Sequence, residues 1–528
     1  MMRDARWVLA WFGVVTLVAA PLAHGADEST AADPGGAALY AQHCAGCHGA
    51  EGDGQGPAAR FLFPKPRSFQ RGVFKLVSTE NNVPSEADLA AVLERGMPGS
   101  SMPSWAHLPA EHRQLLVAEI YRQIDRGARA SYVANLKNEQ AMTDEEIASE
   151  EVQEEIREFA ESRTLPGEAV VLPELAPSDA DAIERGRMLY VQQGCVSCHG
   201  TGGKGDGVKQ MVDDDGFPTR PRDLTEGIYK GGHDPGSLVL RVSRGMPGTP
   251  MPSAPTLTPA QSLDLVHFLR SLSSEERRQA AVLKRSAVVA SRSDRLAIAP
   301  DDLLWSSVPT SPVQLFPLWW RDGAPTAVQV QAMHDGKDLA IRLTWPDATA
   351  NTRAVSPEEF EDMAAIQLNR GPTEPFLGMG APEGQVELWV WRGGREATGD
   401  ERSMMDDYPF DSQVYHERAT PPLPDVITAR AVGNPLAVRD TTGSQLAAKG
   451  IGSTTFVPRP SQAVSTEASH QPDGWTVVLR RPLTAPGEGL DLAGTEHCSI
   501  AIALWDGAMR DRASQKLITM WSDLRLEP

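Results

Sequence analysis

The chain has 528 residues, which is enough for about three globular domains of ordinary size. With 41% hydrophobic and 23% charged residues, it has enough apolar material to form cores. The formal net charge of −20 argues against nucleic acid as a partner, because binding to phosphates needs clustered lysine and arginine. The acidic balance is compatible with a basic docking partner, although acidity alone usually serves solubility.

The first 25 residues predict a secretory signal peptide. Arg3 and Arg6 form a positive region, and an apolar run follows over residues 7–20. Ala23 and Gly25 are small residues at suitable positions for cleavage after Gly25. The apolar run is short for a membrane span of about 20 residues. We therefore expect an exported, periplasmic protein, and an uncleaved membrane anchor is the alternative.

Two near copies of one motif stand in the first half of the chain, HCAGCHG at 43–49 and GCVSCHG at 194–200. The similarity continues beyond them, in FPKPRSF with FPTRPRDL and in RGMPGSSMPSW with RGMPGTPMPSA. A helical pattern precedes each motif, and another closes each copy. The repeat therefore predicts two homologous all-α domains, over residues 34–130 and 179–275.

The C-x-x-C-H pattern is the attachment signature of c-type haem. Thiols of Cys44 and Cys47 add to the two vinyl groups of the porphyrin, and His48 then lies under the iron as the proximal ligand. The same set recurs in the second copy as Cys195, Cys198 and His199. A zinc site would need two more ligands nearby, and a thioredoxin-like pair would not need the histidine. We predict two covalent haem c groups.

Each copy also carries a Met-Pro pair about 50 residues after its motif. This arrangement resembles class I monohaem cytochromes c, in which a methionine before the last helix closes the haem site. The resemblance implies Met102 and Met251 as distal ligands, and Met97 and Met246, which also precede proline, are the competing candidates. Ligation by His and Met fills both axial positions, which suits electron transfer rather than catalysis.

A Pro-Arg pair is repeated between the motif and the methionine of each copy. Its arginines, Arg67 and Arg222, are candidates for pairing with haem propionates. Ordinary surface arginines are the alternative.

Residues 131–178 separate the two copies and are predicted to form an acidic linker. Nine Asp or Glu and one Arg fall within 144–161, where a loose helical spacing of apolar residues is present. A proline-rich connector follows this stretch. The pattern favours a solvated acidic helix, and a docking surface for a basic cytochrome is the alternative. Residues 276–297 are predicted to be a second linker.

The pattern changes to a period of two in residues 298–528. Apolar residues alternate with others at Leu339, Ile341, Leu343 and Trp345, and turns rich in Gly and Pro separate such runs. Nine of the twelve tryptophans lie in this part. The expected fold is an all-β, antiparallel sandwich, so the chain as a whole is a multidomain protein of two all-α domains followed by an all-β domain.

Several segments of this last domain carry a second resemblance, to the haem-binding domain of ethylbenzene dehydrogenase γ-type subunits. They are GKDLAIRLTWPDAT, DMAAIQLN, PFLGMG, VELWVWRGG, MDDYPFD and IALWDGAMRDRASQKLITMWSDLRL. The resemblance implies one non-covalent haem b with methionine and lysine as axial ligands. Matched position by position, these are Met379 and Lys516.

A lysine can bind iron only as the free amine, so a ligand at Lys516 requires a pKa lowered by burial or by the cation. From the sequence alone, a surface lysine is the alternative. His334 and His416 are fallback ligands, and Cys498 is expected to be a buried core thiol.

The resulting hypothesis is a periplasmic electron-transfer subunit with two haem c groups and one haem b. The resemblance implies iron–sulfur and molybdopterin subunits of an oxidoreductase as partners, with a soluble cytochrome or a membrane quinol complex at the other end. Two other classes stay open. The sandwich could be a binding module without haem, or the chain could be a haem enzyme such as a peroxidase.

Overall fold

The computed structural model describes residues 35–207, 210–352, 358–371, 373–395, 443–458, 461–485, 487 and 489–528. The expected signal peptide, the MDDYPFD segment and the fallback ligand His416 lie outside these residues. Residues 36–528 form one unit by their internal contacts. None of the helices within the described ranges combines the length and apolarity that crossing a membrane requires.

Among the described residues, helices dominate up to residue 280 and strands dominate after it. The helices are α1 (Gly36–His43), α2 (Ala45–His48), α3 (Glu86–Arg95), α4 (Ala110–Asn138), α5 (Asp144–Ile147), α6 (Glu150–Thr164), α7 (Ala180–Gln192), α8 (Val196–His199), α9 (Pro235–Arg244), α10 (Pro259–Ser271) and α11 (Glu275–Ala280). A small hairpin, β1 (Met211–Val212) with β2 (Pro218–Thr219), lies between α8 and α9.

The two predicted helical repeats are built alike. In each, the helix before the C-x-x-C-H motif crosses the last long helix, α1 on α4 and α7 on α10. A glycine permits each crossing: a Cβ on Gly36 would lie 2.5 Å from the carbonyl oxygen of Leu115, and a Cβ on Gly186 would lie 2.0 Å from that of Asp264. Only glycine allows backbones this close, so the repeat is one of structure as well as sequence.

Helix α4 continues through the expected domain boundary at residue 130 and ends at Asn138. Its extension is covered by the acidic segment, whose helix α6 packs against it. Leu136 of α4 is buried with Ile147, Val152 and Ile156 of that segment. The acidic segment therefore buries one apolar face in addition to its solvated acidic face, and the first helical region is larger than the periodicity indicated.

Strands of the C-terminal domain form one continuous sheet that folds into two layers. They are β3 (Ala287–Arg292), β4 (Ser311–Pro317), β5 (Ala327–His334), β6 (Asp338–Trp345), β7 (Met363–Asn369), β8 (Val386–Arg392), β9 (Gly443–Ala448), β10 (Thr455–Phe456), β11 (Ser465–Gln471), β12 (Gly474–Pro482), β13 (His497–Trp505), β14 (Leu517–Thr519) and β15 (Ser522–Leu526). The order along the sheet is β10-β9-β8-β7-β13-β14-β4-β5-β6-β12-β11, with β3 and β15 joined beside it.

The core lies between the two layers, where the alternating residues of the sequence point inward. Trp391 of β8 packs edge-on against Trp475 of β12, with ring centroids 4.8 Å apart, and contacts Trp345 of β6. All three side chains are buried. The predicted all-β sandwich is confirmed. Among the described strands, β3 departs from the antiparallel rule, since it pairs in parallel with β5 and β15. The expected linker 276–297 therefore already contains a strand of this domain.

Candidate haem-binding sites

The first C-x-x-C-H motif forms one short helical turn, α2, with Cys44 at its start. Nδ1 of His48 donates a hydrogen bond to the carbonyl oxygen of Arg67 over 2.9 Å, which fixes the ring and leaves Nε2 free for a metal. The ring stacks on Phe69 at 4.5 Å. Burial lowers the pKa of His48, so the imidazole is held in the neutral form that ligates iron.

In the second motif, the ring of His199 is held less firmly. Burial lowers the pKa of His199, and the backbone carbonyl of Arg222, the counterpart of Arg67, opposes that effect. Nδ1 of His199 is nevertheless buried without a hydrogen-bond partner among the described residues. The equivalent loop of each domain therefore passes beside its motif histidine. Among the described residues, the hydrogen bond from Nδ1 that orients the ring is formed by His48 and not by His199.

Hydrogen bonds that frame the motif are repeated in both domains. The hydroxyl of Tyr40 donates to the carbonyl of Gly49 over 2.8 Å, and that of Tyr190 donates to Gly200 over the same distance. The carbonyl of each motif histidine accepts from a glycine N–H six residues later. The two motifs are thus presented in one geometry, as the sequence repeat predicts.

The methionine loops close against their motifs in the same way. Backbone N–H of Met97 donates to the carbonyl of Met102 over 3.1 Å, and Met246 makes the same bond to Met251. In the first domain both methionines of the pair line the cavity that contains His48. The structure therefore places two methionine side chains and His48 around the same cavity. That Met102 is the distal ligand stays a prediction.

A cavity of about 680 Å³ runs from the first helical domain into the β domain. This size falls within the range of cofactor pockets. From one side it is lined by Cys44, Cys47, His48 and Met102, and from the other by Met379 and Lys516. Its walls are otherwise mainly apolar, with aromatic side chains from both domains, among them Phe69, Phe74, Trp105, Phe316, Phe376, Trp505 and Trp521. The apolar walls and the His, Met and Lys donors fit haem.

Met379 stands on a loop that the β domain holds in place from several directions. The residue has φ of +78°, a strained conformation for a side chain other than glycine, and such strain is often found at ligand sites. Its carbonyl accepts from the N–H of Gly450 over 2.8 Å. The indole of Trp521 and the amide of Gln367 bond to the loop carbonyls just before it. The loop is thus fixed with Met379 at the cavity wall.

Lys516 immediately precedes β14 and lines the same part of the cavity. Its Nζ lies 4.6 Å from the ring centroid of Trp505. Burial lowers the pKa of Lys516 to about 8, which brings the free amine within reach at neutral pH. Lys516 is therefore not the surface lysine that the sequence allowed as an alternative.

The other candidates occupy structural positions. His334 is buried and bonds through Nε2 to the carbonyl of Glu527 over 2.8 Å, outside the lining of the cavity. Cys498 lies in β13 and is 1% exposed, and burial raises the pKa of its thiol to about 12. It is a core thiol, as expected.

Arg67 and Arg222 lie where the two helical domains meet, rather than on an open surface. Arg67 lines the cavity and pairs with Asp215 of the second domain over 3.3 Å. Arg222 donates to the carbonyl of Gly99 in the first domain, and its guanidinium lies 3.6 Å from the ring centroid of Trp320. The surface alternative is therefore wrong for both.

Contacts between the first helical domain and the sheet were not predictable from the motifs. A Cβ on Gly46, inside the first C-x-x-C-H motif, would lie 2.6 Å from the ring of Phe376, which belongs to the Met379 loop. Phe63 exchanges backbone hydrogen bonds with Leu318 and Trp320, and its ring stacks on Trp319 at 5.3 Å. The motif and the loop are therefore in direct contact.

Comparisons with known families match all three domains. Residues 31–118 match cytochrome c oxidase, cbb3-type, subunit III, residues 183–273 match cytochrome c, and residues 301–517 match ethylbenzene dehydrogenase. The family boundaries follow the repeats and the sheet described above.

Named relatives each align with less than half of the chain. Chlorate reductase subunit gamma of Ideonella dechloratans is 30% identical over 43% of this chain and 80% of its own length. The putative respiratory nitrate reductase heme subunit ORF7 of Haloferax mediterranei is 24% identical over 42% and 66%. Dimethylsulfide dehydrogenase subunit gamma of Rhodovulum sulfidophilum is 25% identical over 43% and 75%.

Among solved structures, the reducing HAO-like protein complex of Kuenenia stuttgartiensis aligns with 45% of this chain and 96% of its own at 30% identity, with a TM-score of 0.37. The match to chlorate reductase subunit gamma covers most of that relative, and the residues that match ethylbenzene dehydrogenase, 301–517, include Met379 and Lys516. The chain therefore belongs to the ethylbenzene dehydrogenase family, with two cytochrome c domains preceding the family domain.

Proposed function

We propose that the protein is a periplasmic electron-transfer subunit that binds two covalent haem c groups and one non-covalent haem b. The observation that carries this proposal is the shared cavity, whose lining includes the candidate donors of a c-type site and of a b-type site. Haem supplies reversible one-electron chemistry. The protein would ligate the three haems, bury them and hold them at fixed distances from one another.

Each covalent haem would be held by two thioethers, a histidine and a methionine. In the first domain these are Cys44, Cys47, His48 and Met102, and in the second Cys195, Cys198, His199 and Met251. Haem b would be held between Met379 and Lys516. Both axial positions of every site would then be filled by the protein, which favours electron transfer over chemistry on a bound substrate.

The contacts between domains support a fixed order of the three sites. The contact of Gly46 with Phe376 joins the first c site to the b site. The second cytochrome domain meets the first through Arg222 and Gly99 and the β domain through Arg222 and Trp320, but its motif lies outside the lining of the shared cavity. The first c site would therefore stand between the other two, in the sequence second c site, first c site, b site.

External partners would meet the two ends of this series. Next to the second motif, Met188 and Val191 are exposed by 44% and 51%, which suits an end that meets a soluble cytochrome or a membrane quinol complex. Two relatives are named as gamma subunits of oxidoreductases. By analogy, iron–sulfur and molybdopterin subunits would serve the b end.

Haem composition of the purified chain tests this proposal. A pyridine haemochrome spectrum before and after acid–acetone extraction is expected to show two c-type haems retained and one b-type haem extracted per chain. The thioether bonds survive the extraction, whereas axial ligands alone do not hold the b haem.

Two outcomes would count against the proposal. Two c haems without b haem, after expression with ample haem supply, would favour a β-sandwich that serves as a binding module. Binding of carbon monoxide or cyanide to the native protein would reveal an open axial position and favour a haem enzyme. The haemochrome spectrum detects the first outcome, and a change in the absorption spectrum on adding carbon monoxide or cyanide detects the second.

A further inference from the structure

The two cytochrome domains meet through equivalent segments. Arg222 donates to the carbonyl of Gly99, in the Gly-Met-Pro-Gly turn of the first domain. Conversely, a Cβ on Gly248, in the matching turn of the second domain, would lie 3.1 Å from the guanidinium of Arg67. Each repeated arginine thus reaches the methionine loop of the other domain, and the contact has approximate two-fold symmetry.

This symmetry gathers four cationic side chains at the interface. They are Arg67 and Lys75 from the first domain, with their counterparts Arg222 and Lys230 from the second. The pKa of Lys75 is lowered to about 8, mainly by burial and further by the guanidinium groups of Arg67 and Arg222. The pKa of Lys230 is lowered well below its ordinary value, mainly by burial and further by the charges of Arg222 and Lys75.

Carboxylates of the chain balance part of this charge. Asp215 pairs with Arg67 and Arg71, Asp213 acts on Lys75, and Asp322 and Glu226 act on Arg222. Lys230 is different. Within the described ranges no carboxylate pairs with its ammonium group, and the charges that act on it are cations. Enclosing the ammonium form of Lys230 without a counter-ion is costly, so an anion bound beside it would stabilise that form.

The position of Lys230 indicates which anion. Although it belongs to the second domain, Lys230 lines the cavity that contains His48 and Met102 of the first. It also acts electrostatically on His199 of its own domain. Haem bears two propionate carboxylates, and an ammonium forms strong charge-assisted hydrogen bonds with a carboxylate.

We propose that Lys230 of the second cytochrome domain binds a propionate carboxylate of the haem held by the first domain. The proposal rests on the proposed function, because it needs a haem at Cys44 and Cys47. It adds a positioning residue supplied across the interface, so that the charge around the first c site depends on the docked second domain.

Replacement of Lys230 by methionine tests the inference through the midpoint potential of the first c haem. A nearby cation favours the ferrous state, so K230M is expected to lower the equilibrium constant for reduction of that haem about tenfold, which is 59 mV for one electron. The midpoints are measured by spectroelectrochemical titration of the full chain. Assignment uses Met102→His, which shifts the first c haem alone.

Lys204→Met is the matched control, because it removes the same charge from the same domain at an exposed residue outside the cavity lining. A fall of the first midpoint in K230M and not in K204M supports the inference. Equal shifts in both variants would overturn it, as would a fall confined to the second c haem. Absence of covalent haem would instead count against the proposed function, so the two failures are distinguishable.

Discussion

Replacement of Lys516 by alanine is expected to empty the b site while both covalent haems stay in place. The side chain lines the same cavity as Met379, and burial lowers its pKa to about 8. Loss even of an outer-shell partner costs roughly 10–100-fold in metal affinity, so loss of an axial ligand should lower haem affinity at least about tenfold and reduce b-haem occupancy accordingly. Acid–acetone extraction followed by a pyridine haemochrome spectrum measures this occupancy.

Lys337→Ala is the control for this variant, because Lys337 is exposed at the turn between β5 and β6 and lies outside the cavity lining. It should retain one b haem. Lys516→His should restore binding with an altered absorption spectrum, since imidazole replaces the amine. A K516A protein that keeps its b haem with an unchanged spectrum would show that Lys516 is not a ligand.

Replacement of both cysteines of the first motif by alanine is expected to interrupt electron transfer between the b haem and the second c haem. In the proposed order of sites, the first c site stands between them, and Gly46 of its motif touches Phe376 of the Met379 loop. Electron tunnelling falls steeply with distance, so the rate should drop by orders of magnitude. Rapid reduction of the b haem, followed at the c-haem α band, measures the rate.

The equivalent double replacement, of Cys195 and Cys198, is the matched control. It removes the same number of thioether bonds from a domain built in the same way. Transfer between the b haem and the first c haem should then persist at the wild-type rate. Rapid transfer to the second c haem in the protein that lacks the first one would contradict the proposed order.

Much of each individual site was predictable from the sequence because its chemistry is local. The C-x-x-C-H spacing requires two thiols and a histidine on one turn, and α2 and α8 supply it. The repeated Gly-Met-Pro-Gly turn and the Met-Pro pair after it supply two methionines in each copy, and the first pair does line the cavity with His48. Period-two alternation likewise predicted the sheet, since it follows from the strand itself.

Contacts between domains could not be predicted in this way. No periodicity relates Gly46 to Phe376, or Lys230 to the cavity of the first domain, because these residues are far apart in the sequence and meet only after the domains dock. The repeat pointed to Arg67 and Arg222 as candidates for pairing with propionates, but it did not indicate that Arg222 bonds to Gly99 of the other domain. A repeat indicates what two domains share and is silent about how they face each other.

Two segments that the sequence analysis treated as linkers are partly buried in the structure. The acidic residues of α6 suggested a largely solvated helix, yet its Val152 and Ile156 cover the extension of α4. The mixed composition of the linker before residue 298 hid β3, whose pairing partners β5 and β15 come later in the chain. In both cases the decisive partner is distant in sequence.

The most direct test of the central claim, that the first c site and the b site adjoin each other, is electron paramagnetic resonance of the fully oxidised protein. Two low-spin ferric centres at close range speed each other's spin relaxation. The b-haem signal should therefore relax faster in the wild type than in the protein without the cysteines of the first motif. Removing the cysteines of the second motif should leave it nearly unchanged. Equal b-haem relaxation with and without the first c haem would contradict the account.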